Sequence, residues 1–251
     1  MDKIHARQES IIEFIPKEKP CSYLPQQHSL FRYFHIQSCS IELYQTLLER
    51  GWRRFGKYFF VPICKACKEC ISVRKEVQVF EPSRSFKRVL AKNKETVVMI
   101  QRPMITQAHL ELYERYHQHM NHKKGWEYTP ITAESYYEMF VEGAEEFGYE
   151  FAYYRDEKLV GIALVDILRE SISAVYCFYD HEYGDLSLGI FSILKQLEIA
   201  KGLKIAYFYP GYWIKNHHSM GYKERFAPYE ILRNEPQPHE FADWISQGEE
   251  R

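Results

Sequence analysis

No stretch of the sequence approaches the ~20 apolar residues that a membrane-spanning helix needs. Its first ten residues, Met1 to Ser10, are polar and lack an apolar signal core. A cytoplasmic protein is therefore expected. There is no internal repeat and no low-complexity tract, which argues against a solenoid and against a disordered chain. Net charge is nearly absent as well, since 33 Lys and Arg against 34 Asp and Glu leave −1. Cysteines number only six. In a reducing compartment they are expected as thiols or metal ligands rather than as disulfides.

What the sequence does contain is apolar and ring-rich. Hydrophobic residues make up 45% and charged residues 27%, the balance of a globular protein. At 251 residues the chain is long enough for one large or two modest domains. The 20 Tyr and 16 Phe suit either an aromatic core or ring-lined surfaces that stack on a partner. The small net charge hides an asymmetry. From Arg50 to Arg102 there are 14 basic and 4 acidic residues, a net of +10, leaving 19 basic and 30 acidic residues elsewhere, a net of −11. Such a block fits a polyanion such as RNA, or a solvated face matched to acidic loops.

Punctuation and periodicity give the element order. Residues 1–20 read as an irregular arm. Ser40 can cap a helix over Ile41 to Arg50 that Gly51 stops. Tyr58 to Val61 and Val73 to Phe80 read as strands, and Ser83 or Ser85 can open a basic helix through Leu90. Beyond Pro103, helices are expected over Thr106 to His122 and Thr132 to Phe140. A hairpin follows, turning at Arg155-Asp156-Glu157-Lys158, then a strand over Ser171 to Tyr179. Ser187 opens a helix that Gly202 closes, and Ile205 to Tyr209 forms a last strand. Strand, strand, strand, helix, strand is the order of the acetyltransferase-like (GNAT) fold. The expectation is an α/β (α+β) protein, with a smaller cysteine-containing basic domain over 1–102 and an acetyltransferase-like domain over 103–251.

Four features carry chemistry. Cys64-Lys-Ala-Cys67-Lys-Glu-Cys70 has the spacing at which thiolates converge on one ion. With Cys21 as the fourth ligand, or Cys39 as second choice, it reads as a structural zinc site or an iron–sulfur cluster, against reduced thiols kept for packing or sensing. Arg84, Lys87 and Arg88 are three and four apart, so a helix aligns them for successive phosphates. The turn Tyr183 to Gly189 lacks the closely spaced glycines of a coenzyme A cradle, and Asp185 would repel a pyrophosphate there. Tyr207 to Ile214 and Met220 to Pro228 read as a ring-rich substrate crevice at strand ends. His117, His119 and His122 read as surface residues, because His117 and His119 point to different sides of a helix.

These pieces, in order, identify the chain as resembling the arginyl/leucyl-tRNA–protein transferases, most closely their short bacterial aspartate/glutamate leucyltransferase branch. The matching blocks are Cys21-Ser22-Tyr23, Arg50 to Gly56, the cysteines at 64–70, Phe80 to Leu90, Ser187-Leu188-Gly189 and Tyr207 to Pro228. The eukaryotic arginyl branch carries a Cys-x-x-Cys near its N-terminus, where this chain has Cys21-Ser22-Tyr23-Leu24. The resemblance implies transfer of leucine from leucyl-tRNA to an N-terminal Asp or Glu, marking the acceptor protein for N-end-rule degradation. The alternatives are an arginyl donor, with Asp166, Asp180 or Asp185 in its pocket, or an RNA-binding protein without catalysis. No cofactor is required for the transfer. Position along the chain nominates Tyr209 and Tyr212 as crevice donors and Asp180 as the group that accepts a proton or anchors the amine. Arg84, Lys87 and Arg88 are expected on tRNA, and Lys223 and Arg225 on the acceptor's acidic side chain.

Overall fold

The structure is a computed structural model that describes residues 10–247. Residues 1–9 of the expected arm, and with them most of the Met1 to Ser10 segment, lie outside the described residues. From Ile11 the chain is a strand, β1 (Ile11–Phe14), not irregular. A short ladder of β2 (Lys19–Pro20) and β3 (His28–Ser29) precedes β4 (Phe31–Ile36). Helix α1 (Ile41–Glu49) starts where expected, with the Ser40 hydroxyl accepting from the Leu43 amide at 3.1 Å. Tyr44, Leu47 and Leu48 are its buried face. β5 (Arg53–Phe55) and β6 (Tyr58–Pro62) complete a four-stranded sheet in the order β1-β4-β6-β5.

The chain then crosses into a second sheet. β7 (Ile71–Glu76) ends before Phe80, which turns into the core under α2 (Arg84–Lys92), capped by Ser83. β8 (Val97–Gln101) follows, then α3 (Gln107–Lys124), capped by Thr106 and ended by Gly125 in the left-handed region. α4 (Ala133–Tyr136) runs into a wide turn over Tyr137–Val141. β9 (Gly148–Arg155) and β10 (Lys158–Ile167) form the expected hairpin, and β11 (Ser171–Tyr179) matches its expected bounds. α5 (Leu188–Gly202) leads to β12 (Tyr207–Trp213). Ser187 does not cap α5 through its side chain; it lies in the left-handed region at φ 53°, which points its hydroxyl away from the first-turn amides. β13 (Tyr229–Leu232) and β14 (Trp244–Gln247) close the chain.

Eight strands share this sheet in the order β14-β13-β7-β12-β11-β10-β9-β8. Strands from both sides of position 102 are therefore interleaved: β7 lies between β12 and β13, and β8 pairs with β9. The mixed α/β architecture follows, with α3 packed on one face of the β10–β11 region and α5 on the other. No helix among the described residues is long and apolar enough to cross a membrane.

One ion pair ties the layers together. Asp166 of β10 accepts from Arg54 Nε of β5 and from the Tyr44 hydroxyl of α1, each at 2.7 Å, and Arg54 Nη2 reaches its other oxygen. Both charged side chains are buried, with 3% and 1% exposure. Gly56 fixes the other contact. A Cβ there would stand 1.8 Å from the Glu138 carbonyl oxygen, so only glycine lets the 137–141 turn approach the first sheet.

Candidate active site

β11 and β12 are parallel, but they pair only through Ser171–Ser173 and Tyr207–Tyr209. Beyond that they part, and β12 swings toward the first sheet. Its path is set by Pro210 and Gly211 at a register shift against β7, Gly211 taking φ 92°. Pro lacks the ladder donor, and glycine alone adopts that φ without strain. Tyr212 thereby reaches a cavity of about 790 Å³ between the first sheet and the 231–237 segment. Its walls include Tyr23, Tyr33, Trp52, Phe55 and Phe60. That volume suits a small apolar ligand moiety with part of its carrier. A cavity with rings in its wall exists, but most of those rings come from β4, β5 and β6, and the 207–228 stretch contributes only Tyr212 among the lining residues.

The four cysteines gather at this cavity, since Cys21, Cys64, Cys67 and Cys70 all line it. They bear on one another: burial, then Cys21, Cys64 and Cys67, push the Cys70 thiol up to about 12. Cys64 Sγ accepts from the Leu30 amide at 3.4 Å and donates to the Leu30 carbonyl at 3.7 Å. Yet no three His, Cys, Asp or Glu side chains among the described residues converge as a metal site. The four thiols line one wall of the cavity together.

The expected catalytic trio is not brought together. Tyr209 is fully buried against Trp244, because strand alternation turns Tyr207 and Tyr209 toward α1 while Phe208 enters the other core. Burial raises its phenol to about 12, Arg74 acting against that. Tyr212 lines the cavity, but its hydroxyl donates to the Gly51 carbonyl at 2.8 Å, with Phe60 O at 3.3 Å. Asp180 lies at the far end of β11, seven residues past Ser173, the partner of Tyr209; that is roughly 23 Å along a strand. There it meets Lys158 at 3.0 Å, Arg115 at 3.6 Å and the Glu182 amide at 3.1 Å. Burial works to raise its carboxyl, but Lys158, that amide and Arg115 outweigh it and hold it low. Asp180 is a pinned carboxylate rather than a base over the crevice.

The basic pair is also divided. Both residues sit on the turn Gly221–Phe226, where Lys223 points in and Arg225 out. Lys223 donates to the Tyr212 carbonyl, with Met220 Sδ at 3.4 Å. Burial, with Arg53 nearby, lowers its amine to about 7, and Cys70 opposes this. Arg225 turns away from Tyr212 and lies over the Phe86 ring of α2 at 5.5 Å. On α2 itself the Arg84, Lys87 and Arg88 side chains are exposed as expected, and none makes a side-chain hydrogen bond or close ion pair with a described residue, though Lys87 helps hold Glu81 charged. Other members of the basic block are structural. Arg54 holds Asp166, Arg74 holds Glu230, and Arg53 lies buried under the Tyr209 and Tyr212 rings.

One neighbouring group was misread from sequence. His117 is not a surface residue. It stacks on Tyr113 at 4.0 Å and shares a 3.0 Å hydrogen bond with the Tyr176 hydroxyl. Helix α3 brings it there by packing on β11, a tertiary contact that its own helix's periodicity does not reveal. His119 stacks instead on His181 at 4.2 Å. Burial lowers the His117 imidazole to about 4, against roughly 6.5 in an unfolded chain. Between those values the unfolded state binds more protons, so this contribution to stability is complete above about pH 6.5 and is lost as pH falls through 4. In urea titrations the gap between wild type and His117→Phe should shrink or reverse over that window. Parallel stability curves would show that His117 titrates normally.

Comparison with known proteins agrees with the expected family. Two family models match, the arginine-tRNA-protein transferase N terminus over residues 19–88 and its C terminus over 108–233. A Helicobacter hepaticus protein named aspartate/glutamate leucyltransferase is 54% identical over 93% of this chain and 97% of its own length. One of the same name from Campylobacter jejuni is 44% identical over 88% of this chain and 93% of its own. Solved structures resemble the chain only loosely. FemX superposes with a TM-score of 0.49 at 9% identity, over 79% of this chain and 68% of that one.

Proposed function

Because the chain belongs to the arginine-tRNA–protein transferase family, we propose that it transfers leucine from leucyl-tRNA to the N-terminal Asp or Glu of proteins. Acceptors so marked enter N-end-rule degradation. The observation that carries this reading is the near full-length match to aspartate/glutamate leucyltransferases, 54% identical over 93% of the chain. A cytoplasmic setting, where charged tRNA is available, belongs to the same proposal. So does the acetyltransferase-like arrangement of β9, β10, β11, α5 and β12, supported by two antiparallel pairings followed by a helix and a parallel strand.

The donor reading is supported by where the carboxylates are. An arginyl side chain would need an unpaired acid in its pocket. Asp166 is sealed between Arg54 and Tyr44, and Asp180 is held by Lys158 and Arg115. Asp185 is exposed beside α2, its carbonyl accepting from Lys92 at 3.1 Å. Of the two acids that line the cavity, Glu235 is held by Lys68 at 2.7 Å, which leaves the exposed Glu138 as the one carboxylate there that an arginyl donor would have to use. Rings such as Tyr33, Trp52, Phe55 and Phe60, with aliphatic Leu24, Val61, Ile63 and Leu232, give the wall an apolar part that suits leucine.

Transfer requires little chemistry. The acceptor α-amine attacks the ester carbonyl carbon, a C–N bond forms, the C–O bond to the tRNA terminal ribose breaks, and the amine's proton leaves to the ribose oxygen or to water. An α-amine of pKa about 8 is about one tenth neutral near pH 7, enough to supply the nucleophile without a dedicated strong base. Holding amine and ester together supplies most of the rate. No cofactor enters these bond changes. In this reading Tyr212 shapes the cavity floor, and Lys223 fixes Tyr212 through its carbonyl. Arg84, Lys87 and Arg88 hold tRNA phosphates. The test is transfer of labelled leucine, from charged tRNA only, onto peptides beginning with Asp or Glu. A chain that binds tRNA and transfers nothing would be a non-catalytic RNA-binding protein.

A further inference from the structure

Arg225 belongs to the arginine-rich surface of α2 rather than to the cavity. Phe86, the one buried side chain of α2, stacks on Phe226 at 4.6 Å, and this locks the 221–226 turn against the helix. The lock is reinforced by Lys75, whose amine donates to the Pro228 carbonyl. Arg225 is thereby set over the Phe86 ring, exposed, on the wall of a second cavity of about 410 Å³. Phe80, Glu81, Ser83, Ser85, Ala227 and Pro228 line the rest of this notch, Glu81 being its one acid. The Arg225 side chain makes no hydrogen bond or close ion pair with a described residue, as is true of Arg84, Lys87 and Arg88. Two acids lie nearby: Glu81, on the rim of the notch, is bound by Lys201 at 2.8 Å, and Glu224 is exposed next to Arg225 in the chain, so four cations face two carboxylates. A fixed guanidinium beside three exposed cations, with hydroxyl donors on the rim, leaves a net positive patch complementary to a polyanion backbone.

We propose that Arg225 is the fourth cation of a tRNA phosphate-binding surface centred on the notch between α2 and the 221–226 turn, and that it does not read the acceptor's side chain. This rests on the tRNA-dependent reading above. Contacts to phosphate carry no sequence or amino-acid information, so the surface grips leucyl-tRNA, arginyl-tRNA and uncharged tRNA alike. Donor and acceptor choice lie elsewhere, at the ring-lined cavity.

The experiment is tRNA binding as a function of salt for wild type, Arg225→Ala and Arg225→Glu, beside transfer to peptides beginning with Asp and with Asn. Arg225 is exposed, so both variants should fold, and near-ultraviolet circular dichroism checks this. Arg225→Ala is expected to weaken all three tRNA forms by roughly tenfold at low salt and to lower the log–log salt slope by about one unit. Arg225→Glu should weaken them further, and the Asp-over-Asn preference should be unchanged in both. Unaltered slopes, or a lost Asp preference with intact tRNA binding, would overturn the inference. If Arg225→Ala behaves as wild type while a triple Ala variant at 84, 87 and 88 loses tRNA, this inference fails and the α2 reading stands. If wild type shows no salt-dependent tRNA binding at all, the wider reading fails with it.

Discussion

Asp166→Ala should destabilise the protein by about 3–5 kcal/mol, the cost of leaving a buried guanidinium without its counter-charge. That is a large share of the roughly 5–15 kcal/mol available to a folded domain. The expectation rests on the closure of the site around Asp166. Arg54 gives it two hydrogen bonds and Tyr44 a third, and Arg54 also lies over the Phe147 ring at 4.9 Å. Because β5, α1 and β10 meet there, the loss should appear as a lower urea midpoint for the whole chain and not as local fraying. The double variant Arg54→Met with Asp166→Leu removes both charges and should recover most of the loss, since an apolar pair of similar volume often serves as well. A single variant costing under about 1 kcal/mol would mean that water reaches Arg54.

Replacing Arg84, Lys87 and Arg88 together by Ala should reduce tRNA affinity by about a hundredfold or more at low salt and cut the salt slope by about three units, each phosphate contact contributing close to one. The helix itself should survive. Its cap is Ser83 and its packing residue Phe86, and neither is touched. Alanine is also the best helix former. The effect should disappear above about 0.5 M salt, where the cations are screened in wild type too. A slope unchanged within error would remove α2 from the tRNA interface and leave its exposed charges without a role.

Elements defined by local chemistry were legible in the sequence. Ser40 and Gly51 bracket α1, Thr106 opens α3, and Asp156 and Glu157 take positive φ in the 155–158 turn. What escaped was set by distant partners. The β7 strand reads as part of a first domain, yet it lies between β12 and β13, because its pairing is decided more than a hundred residues downstream. The edge strand β8 exposes Val97, Met99 and Ile100 and so carries no clean inside–outside alternation. At the site, the directions of side chains were not legible in the sequence. Tyr209 and Tyr212 are close in sequence, but the break at Pro210-Gly211 sends one into the core and the other to the cavity. Asp180 was placed by its strand end, which is the end away from the cavity. Lys223 and Arg225 lie one residue apart on opposite sides of a tight turn, so a shared target was never open to them. Sequence spacing keeps Cys64, Cys67 and Cys70 near one another on the cavity wall, whereas the side-chain directions that chelation needs are not set by spacing.

Donor competition tests the central claim most directly. Equal leucyl-tRNA and arginyl-tRNA, each carrying a distinct label, are offered with a peptide beginning with Asp and with the same peptide beginning with Asn, and the label at the new N-terminus is counted. The structure and its relatives lead to leucine on the Asp peptide, favoured over arginine by at least tenfold, with little of either label on the Asn peptide. Arginine transferred as readily as leucine, or leucine placed equally on both peptides, would contradict the account.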